Sequence, residues 1–536
     1  MANRMGKNDG RSMFLDSPHC RSFHRFSAFL YPRADCRKCE GVIMSKKLAI
    51  SLACRFTFLV WLILVFVAVE SSENVSLMAA NESAPVSPKT IRLTLWQGFK
   101  FKEVSLLRDN IRQFVEEWNA KNAPRKLEIV ESQVPFFDMV QKLRSAALAR
   151  QVPDIAFVDV NNMVQLIYGG VAQPVDKLPN FPAADIDSFR QKFVPGAYDT
   201  NVAVYKGERH LFGIPAQTTT LALFYNKKRF REKAEELRAA GCDPERPPRD
   251  WEEFIRYGKV LTEPSRELYG FGMNGSFWFT MPFFTQYGAE FIKRDEKGNL
   301  VPAIPSPNAL AAIERKANFY LKDGIEAGAW RDGALDPDQG FKNSRYAMVL
   351  TGPWMIEDFR SAGLDFGVAL IPRVPLDEAK RLQLVPPDTT PDSPLCAKLT
   401  AGNVGGMNGI ISTTCKHPDV ALEFLLFFVS EPIQRRWAEE MGEIPVVLEA
   451  QKNLNLSKFP EVPVFIEQIN TSKAFPAIPL ANIFEPQIFN PEFNLVLQRR
   501  ATAAEALERI AKLLDQRILQ PVNEAEEIAR REFSRR

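Results

Sequence analysis

Three of the eight tryptophans in this 536-residue chain stand where a side chain can face a ligand. Trp96 closes the apolar run IRLTLW, Trp278 lies in SFWFT, and Trp354 follows Gly352-Pro353. Pro353 has no N–H and a fixed φ, so a strand over YAMVL must end there and Trp354 opens the turn that follows. An indole offers a flat apolar face with an N–H at its edge, which suits the C–H face of a sugar ring. Core packing is the competing role for any one tryptophan.

Catalytic constellations are thin. The four histidines are His19, His24, His210 and His417, which excludes an HExxH zinc site and gives a Ser-His-Asp triad little support. No GxSxG or P-loop motif is present. Gly270, Gly272 and Gly275 spell GxGxxG, but the polar TEPSRELY precedes them where a dinucleotide site needs an apolar strand. A turn beside a cavity fits better, because FWF follows at once. Cys36 and Cys39 form half a zinc pattern with no second CxxC to complete four ligands. Paired carboxylates of a glycosidase remain open, since separations in space cannot be read from 65 acidic residues.

These residues need elements to position them. IRLTLW (91–96), KLEIV (126–130) and DIAFVDV (154–160) read as strands. Helical spacing runs from Val104 to Trp118 between the first two, and through Met139, Leu143 and Leu148 between the second and third. That alternation predicts a parallel sheet covered on both faces, with Asp159 to Asn162 at the strand end where such sheets place ligand residues. Asp250 reads as the N-cap of a helix over Trp251 to Leu261, and Ser306-Pro307 as another helix start. Residues 373–398, rich in Pro and charge, read as a surface excursion. The last periodic segment uses Leu507, Ile510, Leu514 and Ile518, with Pro521 expected to end it.

Length and 46% hydrophobic content exceed one compact core, so at least two lobes are expected. A net charge of +3 gives no basic excess for nucleic acid or an anionic membrane surface. Phe56 to Val69 is apolar apart from Thr57 and falls short of the ~20 residues that span a bilayer. With Lys46, Lys47 and Arg55 before it and small polar residues after it, 44–80 reads as a secretory signal cut after Ser71 or near Ala79-Ala80. An uncleaved anchor is the alternative. Residues 1–43 do not fit a signal, and translation starting at Met44 would explain them. Beyond the leader remain Cys242, Cys396 and Cys415, of which Cys396 and Cys415 could pair.

Taken in order, IRLTLWQG, VPDIAFVDV, GIPAQTTTLALFYNK, RDWEEF, NSRYAMVLTGPWMIEDF, FGVALIP, GGMNGIIS, KHPDVALEFLLFFVSEPIQRRWAEEMGEIP and ATAAEALERIAKLLDQRI resemble a known pattern. The chain resembles the family 1 extracellular solute-binding proteins of ABC importers, the group that includes maltose-binding protein. The resemblance runs from about Thr90 to Ile518. It implies an α/β, two-lobed periplasmic-binding-protein fold of type II, with a ligand cleft between lobes linked by crossover strands. One lobe would be 90–216 with 405–443, the other 217–404 with 444–520, and 521–536 a charged tail.

Carried onto this sequence, the family's cleft positions fall on Trp96, Gln97, Gly98, Asp159, Asn161, Gln217, Thr219, Trp278, Trp354, Asn403, Gly405 and Glu485. The implied ligand is a mono- or oligosaccharide, delivered outside the cytoplasm to the transmembrane subunits of a permease. The resemblance implies no catalysis, cofactor, metal or nucleic acid, and a monomer. The first strand ends WQGFKFKE rather than in an acidic or Asn-rich loop, which departs from some maltodextrin binders. A ligand-sensing partner of a membrane receptor would use the same closure, and two further alternatives stay open. One is a glycerol phosphodiester or phosphate ester in the same scaffold, with Lys100, Lys102 and Arg345 as cation sources. The other is a secreted carbohydrate-active enzyme.

Overall fold

Ile91, Leu93 and Leu95 alternate with more exposed neighbours and bury one face of the strand Thr90–Gln97, as a period of two requires. This strand pairs in parallel with Lys126–Gln133 on one side and Ile155–Asp159 on the other. The computed structural model describes residues 90–533 apart from Lys206. The leader 1–43, the signal or anchor 44–80 and the Cys36/Cys39 pair lie outside the described residues.

The first sheet is mixed rather than wholly parallel. Its order is Lys126–Gln133, Thr90–Gln97, Ile155–Asp159, Gly405–Ile411, Ile214–Thr219, and Gly405–Ile411 runs antiparallel to both of its neighbours. That strand returns from the second lobe, so its direction is set by where the chain re-enters and not by a helical crossover. Helix Phe101–Lys121 packs on this sheet, and Phe99 sits between Phe157 at 5.2 Å and Trp437 at 5.4 Å. Edge-on and tilted ring pairs of this kind add to the area they bury.

The second sheet is ordered Phe366–Ala369, Ala222–Asn226, Tyr346–Thr351, Tyr269–Gly272. Trp251 stacks on Phe283 at 4.9 Å in the core behind it. The helix carrying Trp251 starts as expected, because the Asp250 carboxylate accepts from the N–H groups of Glu252 and Glu253. Gly270 and Gly272 lie inside the strand Tyr269–Gly272. A Cβ on Gly270 would come 2.4 Å from the Gly258 Cα of helix Trp251–Val260, so this glycine serves backbone-to-backbone packing of helix on strand.

Each sheet anchors one lobe, and the chain passes between them more than once. Ile214–Thr219 of the first sheet leads directly into Ala222–Asn226 of the second. The return through Gly402–Val404 lies beside Ser472–Lys473 of a third segment. There the Val404 N–H donates to the Lys473 carbonyl at 3.0 Å, and the Thr220 and Ser472 hydroxyls meet at 3.2 Å. Three narrow segments joined this way form a linkage about which two lobes can hinge.

Four expectations need correction. The 373–398 stretch is not a mere surface excursion: Val374, Ala379, Val385 and Cys396 are buried in the second core, because its apolar residues interleave with its prolines. Leu148 lies on the Met139–Leu148 helix but is 91% exposed, since only Met139 and Leu143 face inward. Pro521 does not end the last helix, which runs on as Gln520–Phe533. A π-helical turn over Asp515–Leu519, closed by the Gln520 N–H on the Asp515 carbonyl, widens the helix just ahead of the proline and relieves the clash its ring would cause. Cys396 and Cys415 do not pair; Cys396 belongs to the second core and Cys415 packs against the first.

Candidate functional site

A cleft of about 340 Å³ opens between the strand ends of the first lobe and the SFWFT turn of the second. Asp159, Asn161 and Asn162 line one wall, Phe277 and Trp278 the other, and Glu485 closes it from the C-terminal segment.

The turn bearing Trp278 is held from three directions. Its backbone N–H donates to Glu485 Oε2 at 3.2 Å, and the neighbouring Phe277 N–H donates to Asn490 Oδ1 at 2.8 Å. Its carbonyl accepts from Asn403 Nδ2 at 2.9 Å, from the segment returning between the lobes. From behind, Lys316 Nζ donates to Thr280 Oγ1 at 2.7 Å, and that hydroxyl donates to the Ser276 carbonyl at 2.7 Å. Gly405 lies under the indole, where a Cβ would come 2.9 Å from the ring. Trp278 is therefore placed before any ligand arrives, which lowers the ordering cost of binding.

Trp354 comes to the same place from 76 positions later in the sequence, its ring centroid 5.9 Å from that of Trp278 at 48°. Pro353 ends the strand as its fixed φ requires, and the ring folds back over Gly352. Both indoles are partly buried against the second core.

Two carboxyls face the cleft. Asp159 sits at the end of its strand, and Oδ1 accepts from the Asn161 N–H at 2.6 Å, capping the turn Val160–Asn162. Burial pushes its pKa up to about 6, and the nearby Glu485 adds to the rise, against the hydrogen bonds from Asn161. Burial also raises Glu485, opposed by hydrogen bonds from Ser276, Asn490 and Trp278. Behind them Lys316 is almost fully buried, and that burial pulls its pKa well below the usual lysine value, against the attraction of Glu485 and Glu326.

The sign for Asp159 follows from linkage. A carboxyl raised in the folded state contributes stability that is complete below the unfolded value near 3.8 and is lost as pH rises through about 6. Asp159→Asn keeps an oxygen for the cap and removes the titration. The expected result is that the Tm advantage of the variant over wild type grows from pH 4 to pH 7 by several degrees, measured by calorimetry in the absence of ligand. A difference independent of pH would show that Asp159 titrates normally.

The structure gathers Asp159, Asn161, Trp278 and Glu485 in the cleft lining, with Trp354, Thr219, Asn403 and Gly405 around Trp278. Trp354, Thr219, Asn403 and Gly405 are not themselves part of that lining, and neither are Trp96, Gln97, Gly98 or Gln217. Trp96 packs against a small cluster on the first lobe. Gln97 is fully buried, donating to Glu131 at 2.6 Å and accepting from the Phe99 N–H at 2.7 Å. Gly98 lets the Val134–Phe136 backbone approach, with Phe136 Cα 3.2 Å from where its Cβ would stand. Gln217 donates to Glu103 Oε1 at 3.0 Å beside buried Glu443, and burial raises both of those carboxyls.

Sequence reasoning missed Phe136 and Phe137, and it missed Phe475, Asn482 and Asn490, all of which line the cleft. The first pair carried a usable signal, since VPFFD places two rings just past a strand end, the criterion that picked out the tryptophans. Phe475 and Asn482 lie in a stretch with no periodic pattern to locate them, and Asn490 opens the helix Asn490–Leu497.

Comparison with known proteins agrees with this architecture. A family model described as bacterial extracellular solute-binding protein matches residues 105–435, more than half of the chain, and the chain belongs to that family. The galactooligosaccharide-binding protein of Bacillus subtilis (strain 168) is 23% identical over 443 residues, 81% of this chain and 90% of that relative. The sn-glycerol-3-phosphate-binding periplasmic protein UgpB of Brucella melitensis biotype 1 is 22% identical over 356 residues, 62% of this chain and 73% of the relative. Among solved structures, the GacH receptor of Streptomyces glaucescens, known unliganded and with acarbose, superposes with a TM-score of 0.64 at 18% identity. That match covers 81% of this chain and 99% of the receptor. The likeness shows the two-lobed fold.

Proposed function

We propose that this protein captures a neutral carbohydrate in the interlobe cleft and hands it, chemically unaltered, to the transmembrane subunits of an ABC importer outside the cytoplasm. The observation that carries the reading is Trp278, backed by Trp354 at 5.9 Å, beside Asp159 and Glu485 in a cleft whose lining includes no lysine or arginine. Aromatic faces take the C–H surfaces of a sugar ring, and carboxylate and amide oxygens accept from its hydroxyls. Buried polar groups also reject analogues, because each unmatched partner costs about 1–3 kcal/mol. Contacts from both lobes favour the closed arrangement only to the extent that the ligand binds it better than the open one. The names of the relatives that bind oligosaccharides support the same reading.

A phosphate ester fits less well, although one relative is named for glycerol phosphate. An anion in this cleft meets two carboxyls and no cation from the lining. Unit like charges about 4 Å apart repel by about 4 kcal/mol at an effective dielectric of about 20. Lys102 is paired with Glu357, and Arg345 with Glu267 at 3.2 Å.

The facing carboxyls are also the one observation that favours a carbohydrate-active enzyme. Against it, Glu485 is already engaged by Trp278 and Asn490, and Asp159 by its own turn.

A thermal-shift screen followed by calorimetry tests the assignment. Maltose, galactobiose and their longer homologues are expected to raise Tm, because a ligand selective for the folded state stabilises it. Glycerol 3-phosphate is expected to give no shift. A response to glycerol 3-phosphate alone would overturn the carbohydrate reading, and release of shorter sugars during incubation would establish the enzyme.

A further inference from the structure

The buried face of the helix Pro307–Leu321 is formed by Ala309, Ala312, Ile313, Lys316, Ala317 and Phe319. The run 309, 312, 313, 316, 317 follows the i, i+3, i+4, i+7, i+8 spacing of an apolar stripe, so position 316 calls for an apolar side chain. It holds a lysine that is 1% exposed. Its Nζ stands over the rings of Phe283 at 5.8 Å and Phe493 at 5.5 Å. The carboxyls of Glu485 and Glu326 attract it, yet the hydrogen bond it makes goes to a neutral hydroxyl, Thr280 Oγ1, at 2.7 Å. Burial lowers its pKa, so the stability of the fold falls as pH drops below the unfolded value near 10.5, and at neutral pH its burial is a cost. A methionine would fill the same space without that cost.

We infer that Lys316 is a positioning residue for the solute site, fixing the loop that presents Trp278 while destabilising the core it sits in. The residue is not part of the cleft lining, so it acts through others. Thr280 Oγ1 accepts from Lys316 and donates to the Ser276 carbonyl at 2.7 Å. Ser276 and Thr280 stand two residues either side of Trp278, so this pair of bonds fixes both ends of the turn. The Phe277 and Trp278 N–H groups then meet Asn490 and Glu485. A turn held in its binding geometry before the solute arrives loses less on ordering. The affinity arm of the inference rests on the carbohydrate reading.

The test compares wild type with Lys316→Met, Thr280→Val, Thr280→Ser and the double variant Lys316→Met/Thr280→Val. Each is melted, titrated by calorimetry with maltose, maltotriose, galactobiose and galactotriose, and followed by backbone amide exchange over 276–280 without sugar. Lys316→Met is expected to keep or raise Tm and yet to lower affinity roughly 3- to 10-fold for whichever of these sugars wild type binds. Its Phe277 and Trp278 amides should exchange at least about threefold faster than in wild type. Thr280→Val should lose affinity by a similar factor, and Thr280→Ser, which keeps the hydroxyl, should stay within about twofold of wild type. The double variant should lose no more than Lys316→Met alone. A Tm that falls together with affinity would make Lys316 a packing residue and overturn the inference. Unchanged affinity, or losses that add in full in the double variant, would overturn it as well. If wild type binds none of the four sugars, the carbohydrate reading falls while exchange still decides this inference: faster exchange in Lys316→Met sustains the brace, and unchanged exchange overturns it.

Discussion

Trp354→Ala leaves the fold intact and lowers affinity by roughly 30- to 1000-fold for the sugar that gives the largest thermal shift. The estimate rests on the cost of truncating a central aromatic anchor, about 2–4 kcal/mol, with each 1.4 kcal/mol worth about tenfold. The fold survives because the structural duties at this turn belong to other groups. The Thr351 hydroxyl bonds Asp338 at 3.2 Å, the Met355 N–H donates to the Gly352 carbonyl at 3.2 Å, and buried Ile356 anchors the following helix. Titration calorimetry and a melting curve on one preparation check both halves. A fall in Tm matching the fall in affinity would make Trp354 a packing residue, and unchanged affinity would remove it from the site.

Gly406→Ala should be among the most damaging single changes in the described chain. Gly406 has φ of +132°, a region closed to most L-residues, and a Cβ there would stand 2.1 Å from the Gln217 carbonyl oxygen. That oxygen belongs to the paired strand Ile214–Thr219 and cannot move without opening the sheet. The pairing shifts register just beyond, between Met407 and Asn408. This irregularity lets the chain arrive from the crossover with Gly405 beneath Trp278. The expected cost is at least about 3 kcal/mol, seen as a lower midpoint in urea or as loss of soluble protein. Ligand affinity should fall as well, since the support under Trp278 shifts. A variant as stable as wild type would mean that the strand accommodates a side chain here without strain.

Local pattern and tertiary placement divided the work at identifiable residues. Pro353 after YAMVL ended a strand as its chemistry dictates, and Asp250 and Ser306 capped the helices they precede. Trp278 and Trp354 were legible as ring-bearing turns, though nothing local tells that two such turns meet. Trp96 satisfied the same rule and packs on a cluster of the first lobe. Gln97 and Gln217 looked like ligand donors by type, and both are bound to glutamate carboxyls of the protein instead. A polar side chain at a strand end faces solute or protein according to what another segment places beside it.

The sequence by itself determined most of the elements and the aromatic turns, because periodicity, caps and proline act over a few residues, while its length and family resemblance implied the two lobes. Only the tertiary structure decided which residues share a cleft, and that Glu485 and Asn490 brace the Phe277–Trp278 turn from more than 200 positions away. Those outcomes depend on how three crossing segments set one lobe against the other, and such long-range packing leaves no trace in the order of neighbouring residues.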